Sequence, residues 1–210
     1  MAKSTSPDRR SLAASLQEQQ RRAERRRSLL IIGPAVLVAA VLVGSVAYAL
    51  VDKSQDRERT EQAAAGEIDG VTDYPDLSRN HVEGAVDYPQ TPPVGGDHAG
   101  VWVNCGSYAD PVPAEMAVHT LEHGAVWIAH QPDLPAGEVE QLTALAEAND
   151  FVLVSPVEGA TSPVVATAWG KQLLLDRVDD ERLAVFVTKY ANGPQTPEPG
   201  APCTGGVGEG

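Results

Sequence analysis

Residues Leu29 to Val51 read L-L-I-I-G-P-A-V-L-V-A-A-V-L-V-G-S-V-A-Y-A-L-V, 23 consecutive positions without a charge. As a helix rising ~1.5 Å per residue this run reaches ~34 Å, enough to cross a ~30 Å hydrocarbon core with some tilt. Gly33 and Pro34 are tolerated in membrane helices. A cleaved signal peptide is the rival reading, since small residues at Ser45 and Ala47 offer a cleavage pattern. The apolar region of a signal is typically shorter, about 7–15 residues. The sequence therefore predicts one uncleaved membrane helix over 29–51.

Charge is divided by that run. Residues 1–28 carry eight Lys/Arg and three Asp/Glu, whereas 29–210 carry eight Lys/Arg against 26 Asp/Glu. The overall charge of −13 therefore describes neither part. Arg21, Arg22, Arg25, Arg26 and Arg27 flank the apolar run on one side, and few cations lie close by on the other. The positive-inside rule then predicts a single-pass protein of the cell membrane, with its N-terminus cytoplasmic and residues 52–210 outside. A strongly acidic exterior part is a poor partner for nucleic acid, so the membrane is the one partner the sequence supports.

The two cysteines, Cys105 and Cys203, both follow the membrane run. Outside a cell a disulfide persists, so the sequence predicts a Cys105–Cys203 bridge, which would add on the order of 4 kcal/mol by loop-closure entropy. With no CxxC, neither a thioredoxin-type centre nor a cysteine zinc site is indicated.

The organisation that follows is a basic cytoplasmic segment over 1–28, a transmembrane helix over 29–51 and a stalk of little order over 52–80. An exterior domain over 81–192 and a Pro/Gly-rich tail over 193–210 complete the chain. The tail would be pinned back by Cys203. Within 81–192, Pro113–His123 reads as a short helix stopped by Gly124, and Ala125–Ala129 (A-V-W-I-A) as a buried strand. Ala136–Asn149 has helical spacing, and Phe151–Val154 reads as a strand. Val164–Trp169 and Gln172–Leu175 form a hairpin around Gly170-Lys171, and a last helix runs from an N-cap at Asp179 to Ala191. Strands and helices alternate without a strict βαβ repeat. The fold class is α+β, a few strands packed with two to three helices.

The chemistry concentrates in V-H-T-L-E-H-G, Val118 to Gly124. Residues at i and i+4 of a helix share a face, so His119 and His123 can present two imidazoles to one ion. P-P-V-G-G-D-H, Pro92 to His98, supplies a third in His98, its glycines letting the backbone come close. Such a set suits Zn²⁺ or Cu²⁺. Met116 would add a thioether for Cu(I), although core packing is the commoner use of such a residue. A second reading takes H-x-x-E-H as an inverzincin-like hydrolase signature with Glu122 as the base. A third makes the domain a non-catalytic envelope interaction module, with His119 and His123 capping the helix C-terminus through its dipole. His81 and His130 show no evident partner in the sequence.

P-P-V-G-G-D-H-A-G-V-W, G-S-Y, V-P-A-E-M-A-V-H-T-L-E-H-G-A-V-W-I, F-V-L-V-S-P and A-T-A-W-G-K together resemble a bacterial domain of unknown function, number 3105 in its series, over about residues 81–199. The family's loop P-P-T-S-G-P-H is matched at Pro92, Pro93, Gly96 and His98, but its hydroxyl pair is replaced by Val94 and Gly95. The resemblance implies an exported or membrane-anchored protein and adds weight to the histidines acting together. It implies no activity.

Overall fold

The computed structural model describes residues 9–208. The first eight residues of the expected cytoplasmic segment and the last two of the tail lie outside them. The described chain divides into two units, with the break between Asp56 and Arg57.

Helix α1, Arg9–Ala64, contains the whole uncharged run and passes through Pro34. Among the described residues it holds the one stretch long and apolar enough to cross a membrane, and none of that stretch is buried within the protein. Little order was expected after residue 52, yet α1 continues to Ala64. Gln, Glu, Arg and Ala in that stretch are good helix formers, and Arg57 and Glu61 pair at 3.0 Å one turn apart, a modest local support. Beyond the helix, Val71–Asp73 is drawn into the sheet as β1. The chain is thus ordered ten residues upstream of where the folded domain was expected to begin.

Among the described residues six strands form one mixed sheet. These are β1 (Val71–Asp73), β2 (Gly106–Ser107), β3 (Val126–His130), β4 (Val152–Pro156), β5 (Val164–Ala168) and β6 (Lys171–Leu175), in the order β1-β6-β5-β3-β4-β2. β3 and β4 are parallel and joined by α3 (Ala136–Glu147); β3, β5 and β6 run antiparallel. The protein is mixed α+β, as its alternation of elements predicts.

The central strand explains its own composition. All five residues of β3 are buried, because both faces of the sheet are covered, and such strands read as continuous apolar runs. Val126 and Ile128 pack with Leu142 of α3 and with Leu183, Phe186 and Val187 of α4 (Glu181–Tyr190). Trp127 and Ala129 point the other way, into a cluster with Ala117, Val118 and Leu121 of α2 (Ala114–Glu122). Helix α2, the carrier of the V-H-T-L-E-H-G stretch, is therefore fixed by its apolar residues to the face opposite α3 and α4.

Two boundaries shift. The hairpin turn is Trp169-Gly170, one residue earlier than expected, with Ala168 opposite Lys171. The cap of α4 is Asp180, whose carboxylate accepts from the Arg182 amide at 2.9 Å, not Asp179. Met116, Leu77 and Tyr88, each partly buried, pack against the α2 cluster, which gives Met116 a packing role at the edge of the core.

Cys105 and Cys203 are bridged across 98 positions. The bridge ties the Pro/Gly-rich tail to the residues preceding β2. Reduction is expected to lower the stability of the folded domain by ~3–5 kcal/mol if loop closure dominates. Thermal melts with and without a phosphine reductant measure it; an unchanged midpoint would show that the tail contributes nothing.

Candidate metal centre

Helix α2 presents His119 and Glu122 three positions apart, on one side of the helix. The residues facing them come from the segment before α2, and three backbone ties hold it there. The His98 amide donates to the Asn80 carbonyl at 3.0 Å, the Val82 amide to the His98 carbonyl at 2.8 Å and the Ala99 amide to the Glu115 carbonyl at 3.2 Å. The first two form a parallel bridge that sets His81 beside His98.

The Pro92–His98 loop is anchored from below by the β5–β6 hairpin. The Gly170 amide donates to the Val94 carbonyl at 2.8 Å, and Gln172 Nε2 donates to the Pro92 carbonyl at 3.0 Å. Gly95 is the close approach anticipated for this loop. Its φ is 138°, and a Cβ there would lie 2.7 Å from Leu77 Cδ1 and 3.2 Å from the Trp169 ring.

The outcome is a four-residue cluster. One ligand atom from each of His81, His98, His119 and Glu122 lies within 4.8 Å of all the others. His98, His119 and Glu122 are buried, whereas the His81 side chain is 53% exposed and forms the solvent side. Glu122 Oε2 stands 2.9 Å from His98 Nε2 and 3.8 Å from His81 Nε2.

The tautomers follow from the partners. His98 Nδ1 lies 2.7 Å from the Gly96 carbonyl, and His119 Nδ1 lies 2.7 Å from the Ala99 carbonyl. A carbonyl oxygen only accepts, so each Nδ1 carries a proton and Nε2 is the nitrogen left to face the cluster. This is the outer-shell arrangement by which ligating histidines are oriented. His98 Nε2 is fully buried and makes no well-aligned hydrogen bond, although the Glu122 carboxylate is within ion-pair distance. A buried imidazole nitrogen and a buried carboxylate oxygen at that distance need a cation or a shared proton between them. His119 is held in the neutral form. Burial pushes its pKa down to about 4, opposed by its bond to the Ala99 carbonyl and aided by the neighbouring imidazoles.

His123 goes elsewhere. Its Nδ1 donates to the Pro202 carbonyl at 2.8 Å, and its Nε2 is 3.6 Å from Glu198 Oε2. Of the expected trio, His98 and His119 share the cluster with His81 and Glu122, whereas His123 stands beside it, its ring 4.6 Å from that of His119 and its Nδ1 on the tail. The reason is angular. His123 caps the helix, one residue beyond Glu122, so its ring turns toward the tail. Nor do His119 and His123 cap helix carbonyls, since their Nδ1 donors serve Ala99 and Pro202. His130 ends β3 in the core, its Nδ1 on the Gln131 carbonyl at 2.8 Å. His81 was missed because its partner lies 17 positions on and is met only through backbone bridging. The usable signal was His119–Glu122 as an i, i+3 pair.

A family model described as "Protein of unknown function (DUF3105)" matches residues 81–205. The chain belongs to this family. The match takes in all four residues of the cluster, both cysteines and most of the tail, so the DUF3105 region includes the bridged segment and strands β2 to β6, while β1 precedes it. No curated protein and no solved structure matches the chain.

Below the His119 pKa of about 4 both folded and unfolded chains carry a protonated ring; above the unfolded value of ~6.5 neither does. Between those limits the unfolded chain binds more protons, so stability rises with pH. Metal-free DUF3105 protein is therefore expected to melt at lower temperature at pH 5 than at pH 7. The difference should shrink in His119→Gln; a variant with the wild-type slope would assign the effect to another group.

Proposed function

We propose that the folded domain binds one divalent transition-metal ion through His81, His98, His119 and Glu122, for holding or handing on the metal at the outer face of the membrane. The observation that carries this reading is the convergence of one ligand atom from each of these four residues within 4.8 Å of the others, with His98 Nε2 buried 2.9 Å from Glu122 Oε2. Three imidazole nitrogens and one carboxylate oxygen suit Zn²⁺ or Cu²⁺. Tetrahedral Zn²⁺ with bonds of ~2.0–2.1 Å brings its ligand atoms to ~3.3 Å from one another. The present spread of up to 4.8 Å closes to that by small side-chain rotations, most easily at exposed His81.

The hydrolase alternative fits less well. It requires the second histidine of H-x-x-E-H as a ligand and Glu122 free as a base, whereas His123 faces the tail and Glu122 stands among the ligand atoms. With four protein ligands the set resembles a closed, non-catalytic site. His81, half in solvent, is the ligand best placed to leave and let the ion exchange.

The arginine cluster before the apolar run supports a cytoplasmic N-terminus and an exterior domain. A cysteine introduced at Ser54 should react with an impermeant maleimide on intact cells; protection until lysis would reverse the topology. The metal reading is tested by titrating the full-length protein in detergent micelles with Zn²⁺ in a calorimeter. A stoichiometry of about one is expected, with affinity falling as pH drops through ~6 because ligating imidazoles must be deprotonated. No uptake at micromolar metal would overturn it.

A further inference from the structure

The tail is built against the histidine cluster, and four hydrogen bonds carry that connection. The Pro202 carbonyl, next to Cys203, accepts from His123 Nδ1 at 2.8 Å. The Glu198 amide donates to the Glu122 carbonyl at 3.2 Å. The Val207 amide donates to the Trp102 carbonyl at 3.0 Å, and the Asn104 amide returns to the Val207 carbonyl at 2.9 Å. Between tail and cluster stand two rings. The Trp102 ring is 4.7 Å from that of His123 and 5.6 Å from that of His119, and the rings of His119 and His123 are 4.6 Å apart. The fit at Trp102 is close enough that only glycine serves at 206, where a Cβ would fall 2.3 Å from the Trp102 carbonyl oxygen. The one covalent tie holding residues 193–208 in this place is Cys105–Cys203, in a segment of Pro and Gly that forms no helix or strand of its own.

We infer that the Cys105–Cys203 disulfide controls the metal affinity of the cluster, with His123 and Trp102 as the positioning residues that transmit the state of the tail to His119 and Glu122. The inference rests on the metal-binding reading above. A dithiol supplies the reducing equivalents: its two S–H groups become one S–S bond, the Cys105–Cys203 bond breaks, and each cysteine leaves as a thiol. The freed tail no longer holds the Pro202 and Glu198 contacts, so His123 loses its orienting partner, and Trp102 its backing. His119 and the end of α2 then lose the packing that fixes their direction. Outer-shell losses of this kind typically weaken metal binding ~10–100-fold.

The test uses the full-length protein in micelles. The oxidised form is compared with protein reduced by a phosphine and capped with iodoacetamide, so that no thiol competes for the ion. A chromophoric chelator reports Zn²⁺ affinity, and far-UV circular dichroism reports the fold. A loss of at least ~10-fold on reduction, with the sheet and helices intact, is the expected result. Equal affinity in the two forms would overturn the coupling while leaving the metal site standing, whereas no binding by the oxidised form would overturn the metal reading itself. Should the capped form unfold, His123→Ala and His123→Asn decide with the disulfide in place. The asparagine amide can still donate to the Pro202 carbonyl, so it should keep most of the affinity that alanine loses. Equal affinity in both variants and wild type would exclude a positioning role for His123. Imidazole proton resonances of the metal-free protein give a metal-independent check: those of His119 should move on reduction, and unmoved signals would count against transmission.

Discussion

His98→Ala is expected to lower the affinity of the full-length protein for Zn²⁺ by ~100-fold or more, beyond the range of outer-shell changes. His98 is the deepest member of the cluster, fully buried, with Nδ1 committed to the Gly96 carbonyl and Nε2 directed at Glu122. No solvent-side group can take its place, and three remaining donors give an incomplete shell. His119→Ala should behave similarly. His81→Ala should cost less at equilibrium but accelerate release of the ion, since water can replace an exposed ligand. His123→Ala should weaken binding by no more than the ~10–100-fold of an orienting residue. Competition with a chelator, followed by stopped-flow release, separates these four. A His123→Ala loss larger than that of His98→Ala would mean that the sites have been assigned to the wrong residues.

The second large effect is on the fold. Trp127→Ala should destabilise the domain by ~3–5 kcal/mol, a large share of the ~5–15 kcal/mol typical of a whole domain. Trp127 is 1% exposed at the centre of β3, and its Nε1 donates to Ser155 Oγ at 3.0 Å. Truncation opens a cavity under α2 and leaves the Ser155 hydroxyl without that donor. Because α2 lies on this side of the sheet, metal binding should weaken in the same variant even where it remains folded. A fall of at least ~1 M in the urea midpoint is the expected reading. A shift within error would mean that the face under α2 is not a tightly packed core.

Period and punctuation in the sequence placed most elements. A-V-W-I-A reads as a doubly buried strand because an apolar run too short for a helix leaves little else, and Gly124 marks the stop of α2 because the run changes character there. The edges were less legible. β1 and β2, three and two residues long, are strands only because β6 and β4 offer them unpaired backbone, and V-T-D or G-S alone shows no period. Helix α1 outran the apolar segment because hydropathy marks where lipid is possible, not where a helix must end.

The site divided in the same way. The sequence by itself determined that a long apolar run could cross a membrane, that His119 and Glu122 would share a helix face, and that a Pro- and Gly-framed loop would carry His98. Helical geometry and backbone restriction are local, so local residues suffice to fix them. The Cys105–Cys203 bridge could be read from the chain, whose two cysteines both follow the apolar run, but only the tertiary structure decided that His81 joins the cluster and that His123 turns its Nδ1 to the tail. Both depend on which distant segments the sheet and its two covered faces bring together, and segments as far apart as His123 and Pro202, 79 positions, leave no pattern in the chain that joins them.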